Sequence, residues 1–143
     1  MNAEIERRRA ALEEEYGYFG DPQELFEYII AKNKAAPPLP PELKRDEFLV
    51  KGCVSSLWLA PSFRDGKCFF QSDADSIVTR GVAEIVCGMY SGLTPDEVLS
   101  FDCSALDELG ISSQLSPNRR NGLSQLCKRI ADFAKLKKNA GAQ

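Results

Sequence analysis

The residues of this chain best suited to covalent chemistry are its five cysteines, Cys53, Cys68, Cys87, Cys103 and Cys127, and they stand in a sequence with no histidine. That absence excludes a cysteine–histidine or serine–histidine nucleophile pair and removes the commonest metal ligand. No two cysteines lie at the short spacing of a zinc knuckle or an iron–sulfur loop. Their odd number, in a chain that reads as cytosolic, argues against a disulfide framework. Cys53 is set apart by its context, Val50-Lys51-Gly52-Cys53-Val54-Ser55-Ser56-Leu57-Trp58-Leu59. Glycine permits backbone angles closed to other residues, and the run after it reads as a strand. Cys53 is therefore expected at a bend where a loop feeds a sheet, either presented outward as a nucleophile or tucked in as an inert packing thiol. With no imidazole base, its electrophile must already be activated, or a partner must supply the base. Cys68, Cys87, Cys103 and Cys127 fall in runs that predict packing roles.

The rest of the chain must position that bend. Its 143 residues, 43% apolar and 27% charged, suit one globular domain with its own core. A net charge of −3 argues against a broad nucleic-acid surface. No apolar run approaches membrane-spanning length, and Met1 to Glu15 lack a secretory apolar core. The cytoplasm is the expected compartment. Residues 1–20 read as a helical arm capped by Asn2, 21–137 as one domain, and 138–143 as a frayed tail. Asp21-Pro22-Gln23-Glu24 starts a helix that ends near Lys34. Ala36-Pro37-Pro38-Leu39-Pro40-Pro41 cannot continue it and reads as a stiff connector or as a ligand for proline-reading domains.

Phe48–Lys51, Ser55–Ala60 and Cys68–Gln71 are expected as three short strands, the last two joined by the turn Arg64-Asp65-Gly66-Lys67. Ser72-Asp73-Ala74-Asp75-Ser76 is expected to open the central helix with acidic caps; as a cation site it lacks the EF-hand pattern. Ile77, Val78, Val82, Ile85, Val86 and Met89 form that helix's apolar face. Thr94-Pro95-Asp96-Glu97 is a capping box. A short helix over Ala105–Leu109 follows, closed by Gly110, and Ser116-Pro117 opens the last helix. Arg119 and Arg120 occupy its first turn, where the helix dipole disfavours cations unless an anion faces them. The pattern predicts an α+β fold, a small antiparallel three-stranded sheet packed against several helices.

The stretch around Cys53 also carries a resemblance. With Asp73-Ala74-Asp75-Ser76, Arg80-Gly81, Tyr90-Ser91-Gly92-Leu93-Thr94-Pro95 and Leu115-Ser116-Pro117-Asn118-Arg119-Arg120-Asn121-Gly122-Leu123, it resembles the SufE family (SufE/CsdE-like) over residues 22–135. These are sulfur-acceptor proteins of iron–sulfur cluster biogenesis, with a fold shared with IscU-type scaffolds. The resemblance implies that Cys53 takes sulfane sulfur as a persulfide from a PLP-dependent cysteine desulfurase of the SufS or CsdA type, stimulates its turnover, and passes the sulfur to a cluster-assembly scaffold or other acceptor. It implies that Gly52 frees the loop, that Ser55 and Trp58 frame it, and that Asp75 and Arg119 contact the partner. Asp75 as a helix cap and Arg119 in a structural ion pair are the alternatives. This chain would hold neither metal nor cofactor, since the PLP belongs to the desulfurase, and it would bind neither nucleic acid nor membrane. The rival readings are a redox enzyme, which lacks a Cys-x-x-Cys; a cluster scaffold, which needs further ligands; and a non-catalytic interaction module or allosteric activator of a desulfurase.

Overall fold

The computed structural model describes residues 2–34, 36–51 and 55–141; Gly52, Cys53 and Val54 lie outside them. Six α-helices and one antiparallel hairpin frame the described chain: α1 (Ala3–Tyr16), α2 (Pro22–Asn33), β1 (Leu57–Arg64), β2 (Lys67–Ala74), α3 (Ile77–Tyr90), α4 (Pro95–Ser100), α5 (Ser104–Glu108) and α6 (Pro117–Gly141). Local chemistry sets most boundaries. The Asn2 side chain accepts the Glu4 and Ile5 amides at the start of α1, and Asp21 accepts the Gln23 amide ahead of Pro22. The Thr94–Glu97 capping box closes with both of its bonds. Asp65 and Gly66 take positive φ of 53° and 75°, the left-handed turn that matches the twist of a two-residue hairpin.

The sheet has two strands, paired from Leu57 with Ala74 to Arg64 with Lys67. The expected third strand is reduced to one bridge, Leu49 with Trp58. The cause is local: the Leu49 amide donates to Asp46 O in a 3-10 turn, Asp46–Phe48, and its carbonyl accepts from the Arg129 guanidinium at 2.7 Å. Both of these groups point away from β1; the bridge is closed by the Val50 amide on Leu57 O, and the 3-10 turn over Asp46–Phe48 ends the pairing. On the other edge, Gly92 and Leu93 bond the backbone of Cys68, and the Ser91 hydroxyl serves both backbone groups of Phe70. Short partners therefore cover both edges, which blunts edge-to-edge pairing.

Leu57, Leu59, Cys68 and Phe70 face the helices and are buried. Against them lies α3, with Val82, Ala83, Ile85, Val86, Cys87 and Met89 inward; each fully buried large aliphatic chain contributes about 1.5–3 kcal/mol over its exposed state. α2 crosses α3 so closely at Gly81 that a Cβ there would stand 3.0 Å from Ile29 Cγ2. α1 adds Ile5 and Tyr16 to the core, and Arg8 donates to Met89 O and Ser91 O at 3.0 and 2.7 Å. That guanidinium satisfies carbonyls at the negative end of α3.

Three sequence expectations are revised. Asp73 and Ser72 belong to β2 and are buried, and Ser76 alone caps α3 by its side chain. Ile77, expected in the core, is 51% exposed because it occupies the first turn beyond the sheet edge. α6 continues to Gly141 through the stretch that reads as a tail, and Lys138 pairs with Asp96 at 2.7 Å. The proline segment is a fixed connector. Leu39 is buried, its amide donates to Asp73 Oδ2 at 3.1 Å, and Arg80 donates to Ala36 O.

Candidate functional site

The chain enters and leaves the Cys53 segment at a closed base. The Val50 amide donates to Leu57 O at 2.7 Å, and the Asp75 amide donates to Ser56 O at 3.0 Å. On the incoming side, Arg129 forks from α6 onto two carbonyls, Leu49 O at 2.7 Å and Glu47 O at 2.8 Å. Gly52 and Cys53 themselves lie outside the described residues, so the expected bend and the state of that thiol are not part of the described geometry.

Beside Ser55 opens a hollow of about 590 Å³. Asp75, Ser76 and Thr79 form one wall, at the start of α3; Ser116, Asn118, Arg119 and Gly122 form the other, at the start of α6. Three of the residues singled out from the sequence, Ser55, Asp75 and Arg119, are thus brought to one place from three separate segments. Two helix N-termini open on the same space. Ser76 Oγ accepts the Thr79 amide and Ser116 Oγ accepts the Arg119 amide, so each cap consumes one of the free amides. The remaining N-terminal amides and the Arg119 guanidinium bias the hollow toward polar and negatively charged groups, and Asp75 opposes them locally. Below the rim the surface turns apolar, with Leu57, Val82, Leu115, Leu123 and Leu126.

Trp58 is not in the hollow. It alternates to the other face of β1, where Lys44 Nζ stands 5.2 Å from its ring centroid. Lys44 in turn pairs with Asp73 Oδ2 at 3.1 Å, and Arg80 Nε approaches Asp73 Oδ1 at 3.5 Å. Burial by itself would raise the Asp73 carboxyl. The Lys44 ammonium and the Leu39 and Ala74 amides outweigh it and hold the group below its ordinary value. This Asp73 centre and the Arg129 fork had no local signal in the sequence, because their partners lie far along the chain.

The other cysteines fall into two groups. Cys68 and Cys87 are free and buried. Burial raises the Cys68 thiol, with Lys137 pulling partly the other way, and pushes Cys87 up to about 12, with the nearby Ser72 hydroxyl pulling partly the other way. Neither is a thiolate at neutral pH. Cys103 and Cys127, expected as packing thiols, are instead joined by a disulfide with Cα atoms 6.6 Å apart. The bond links the α4–α5 connector to α6, so two segments with independent apolar patterns meet there. Among the described residues no cluster of three metal-ligating side chains occurs, and no helix is long and apolar enough to cross a membrane.

Comparison with known proteins matches this frame. A solution structure of a hypothetical protein from Thermus thermophilus superposes with a TM-score of 0.74 at 15% identity, over 92% of this chain and 96% of that one. It shares the fold. An uncharacterised SufE-like protein from Rhizobium etli is 30% identical over 129 residues, 87% of each chain. Another from Synechocystis is 28% identical over 127 residues, covering 89% of this chain and 80% of the relative. The family model described as SufE, Fe-S metabolism associated domain, matches residues 10–134. The chain therefore belongs to the SufE family and serves iron–sulfur metabolism.

Proposed function

We propose that this protein is a sulfur acceptor and carrier in which Cys53 receives sulfane sulfur from the persulfide of a PLP-dependent cysteine desulfurase and delivers it to an iron–sulfur scaffold. The observation that carries the reading is the distribution of its thiols. Cys68 and Cys87 are buried with raised pKa values and Cys103 and Cys127 are bonded to each other, so while that bond is closed Cys53 is the candidate nucleophile. Its segment is anchored at its base beside a hollow that carries Arg119 and Asp75, suited to receive a partner's polar surface.

The transfer balances without oxidant. The Cys53 thiolate attacks the outer sulfur of the partner's R–S–SH. The S–S bond breaks, its electron pair leaves on the partner's cysteine, and that sulfur takes up the proton Cys53 gave up. The products are Cys53–S–SH and a free partner thiol, by ordinary exchange chemistry. No imidazole is required because the leaving group is a thiolate. The pyridoxal cofactor stays with the desulfurase, and the working compartment in this reading is the cytosol.

The test is Cys53→Ser beside the unmodified protein, with calorimetric affinity for a desulfurase, sulfide release, and mass spectrometry after incubation with desulfurase and cysteine. The unmodified protein gains one thiol-removable sulfur on Cys53 and accelerates turnover. The variant binds within about threefold of the same affinity, since docking spreads over a surface, and does not accelerate turnover because a serine hydroxyl is too weak a nucleophile. Full acceleration by Cys53→Ser would overturn the acceptor reading in favour of an allosteric activator.

A further inference from the structure

We infer that Cys103 and Cys127 form a reversible dithiol–disulfide couple, opened by low-molecular-weight thiols, whose state sets the rigidity of the α6 wall of the hollow. Three observations carry it.

The bond is reachable. Both cysteines are half-buried, and both line two open hollows, one of about 320 Å³ on the α5 side and one of about 360 Å³ on the α4 side. A thiolate can approach either sulfur without unfolding the chain. Cys68 and Cys87, by contrast, are closed off at 0% and 5% exposure.

The bond also bridges an open space between two pieces of the chain. It closes a loop with a sequence separation of 24 that contains α5 and the first turns of α6. The 320 Å³ hollow separates those two pieces, with Asp107 and Ser112 on one side and Arg120 and Leu123 on the other. Residues 116–121 at the start of α6 are themselves exposed, between the buried Leu115 on one side and the buried Gly122 and Leu123 on the other. Cys127 lies eight residues beyond Arg119, about 12 Å along the helix. A cross-link there restrains the end of α6 that bears Ser116, Asn118 and Arg119.

The two ends are anchored differently: Cys127 follows the buried Leu126 on α6. Cys103 is held to the core, its Sγ 3.3 Å from the Tyr90 hydroxyl, and that hydroxyl also donates to Phe101 O. The disulfide thus fastens the α6 wall to a fixed point on α3. In a reducing compartment such a bond is transient and regulatory rather than structural.

The exchange balances. A thiol RSH attacks one sulfur as its thiolate, forming a mixed disulfide and releasing the other cysteine. A second RSH resolves it, giving two cysteine thiols and RSSR; the protein disulfide is reduced by two electrons and two RSH are oxidised.

The couple itself does not depend on sulfur acceptance by Cys53, but its meaning for docking rests on the proposed function. The experiment uses full-length Cys53→Ser, so that thiol counts exclude Cys53, and, as control, the same chain with Cys103→Ser and Cys127→Ser added. Air-oxidised protein is treated with millimolar glutathione without denaturant, then labelled with maleimide and mapped, and hydrogen exchange is followed over residues 104–126. The expected result is two new labels, on Cys103 and Cys127 only, and at least fivefold faster exchange at residues 116–122, absent from the control. Peroxide added after reduction and before the maleimide should abolish both changes. No labelling under native conditions, labelling before reduction, or unchanged exchange at residues 116–122 would each overturn the proposal. Desulfurase affinity of the two states, measured on the same samples, separates the readings: two labels with faster exchange but no desulfurase binding in either state would leave the couple standing and remove the docking role.

Discussion

Replacing Asp73 by Asn tests how much of the fold depends on one buried carboxylate. Asp73 is 4% exposed. Its Oδ2 accepts the Leu39 amide at 3.1 Å and pairs with Lys44 at 3.1 Å; its Oδ1 accepts the Ala74 amide at 2.8 Å and faces Arg80 Nε at 3.5 Å. Two backbone amides and two cationic side chains converge on two oxygens. An asparagine offers one oxygen and one NH2, so in either orientation a donor faces a donor. One amide is then left without its acceptor, which costs about 1–3 kcal/mol, and the attraction to Lys44, whose side chain is 37% exposed, is lost, adding about 1 kcal/mol more. The expected destabilisation is about 3 kcal/mol, or roughly 9 °C in Tm for a chain of this size. Urea unfolding at pH 7 measures it. The pH dependence supplies a second check. The folded-state carboxyl lies below its ordinary value, so its stabilisation is complete above the unfolded value near pH 4 and is lost as pH falls through the depressed folded value. The gap between the unmodified protein and Asp73→Asn should therefore narrow only below about pH 4. A gap under 1 kcal/mol at pH 7, or one that narrows between pH 5 and 7, would refute the assignment of Asp73 as the hub joining the connector, sheet and α3.

Arg129→Lys keeps the charge but cannot fork, so one of the bonds to Leu49 O and Glu47 O is lost. Stability should fall by about 1 kcal/mol, while the Val50 amide exchanges several-fold faster by NMR; unchanged Val50 exchange would show that the loop base holds without α6. At Gly81, a Cβ would meet Ile29 Cγ2 at 3.0 Å. Gly81→Ala should be near neutral, because helix propensity offsets a small shift of that methyl, whereas Gly81→Val should cost about 2–3 kcal/mol by overpacking; thermal unfolding of the pair decides, and equal stability would place the α2–α3 contact elsewhere.

What could be read from the sequence follows how local its cause is. Caps and turns depend on residues three or four apart, so Asp21-Pro22, Thr94-Pro95-Asp96-Glu97 and Asp65-Gly66 announced their elements within a residue or two. The apolar period of α3 named its core face, except for Ile77, whose period fits but whose place in the first turn leaves it beyond the sheet. The strand over Phe48–Lys51 was misread because its β-type residues are real signals, while the 3-10 turn over Asp46–Phe48 stops the pairing at one bridge. Asp73 looked like a cap because acidic residues before a helix usually are, and its true partner, the Leu39 amide, is 34 positions off. The Cys103–Cys127 bond could not be inferred from an odd cysteine count, which says nothing of which pair meets. For the site, Ser55, Asp75 and Arg119 line one hollow, while Trp58 went to the other face, as strand alternation from Leu57 requires.

These observations make α6 the element through which the site is organised. Its first turn supplies Arg119 to the hollow, Cys127 binds it to the α4–α5 connector, and Arg129 grips the carbonyls that lead into the Cys53 segment. Farther on, Phe133 packs edge-on to Phe70 with centroids 5.7 Å apart. Arg119 and Arg129 are ten residues apart, about 15 Å along one rigid helix. In the proposed docking, the hollow meets the loop base directly through Ser55 and Asp75, and Arg129 ties the same base to α6, whose middle is seated on Leu126 and Ile130 in the core. The two bonds at Leu49 and Glu47 are worth only a few kcal/mol together, small enough for a partner's binding energy to rearrange. The same helix is fixed from the side by a bond that thiols can open. Under the two proposals above, the docking residue Arg119, the loop anchor Arg129 and the bonded Cys127 all stand on this one helix.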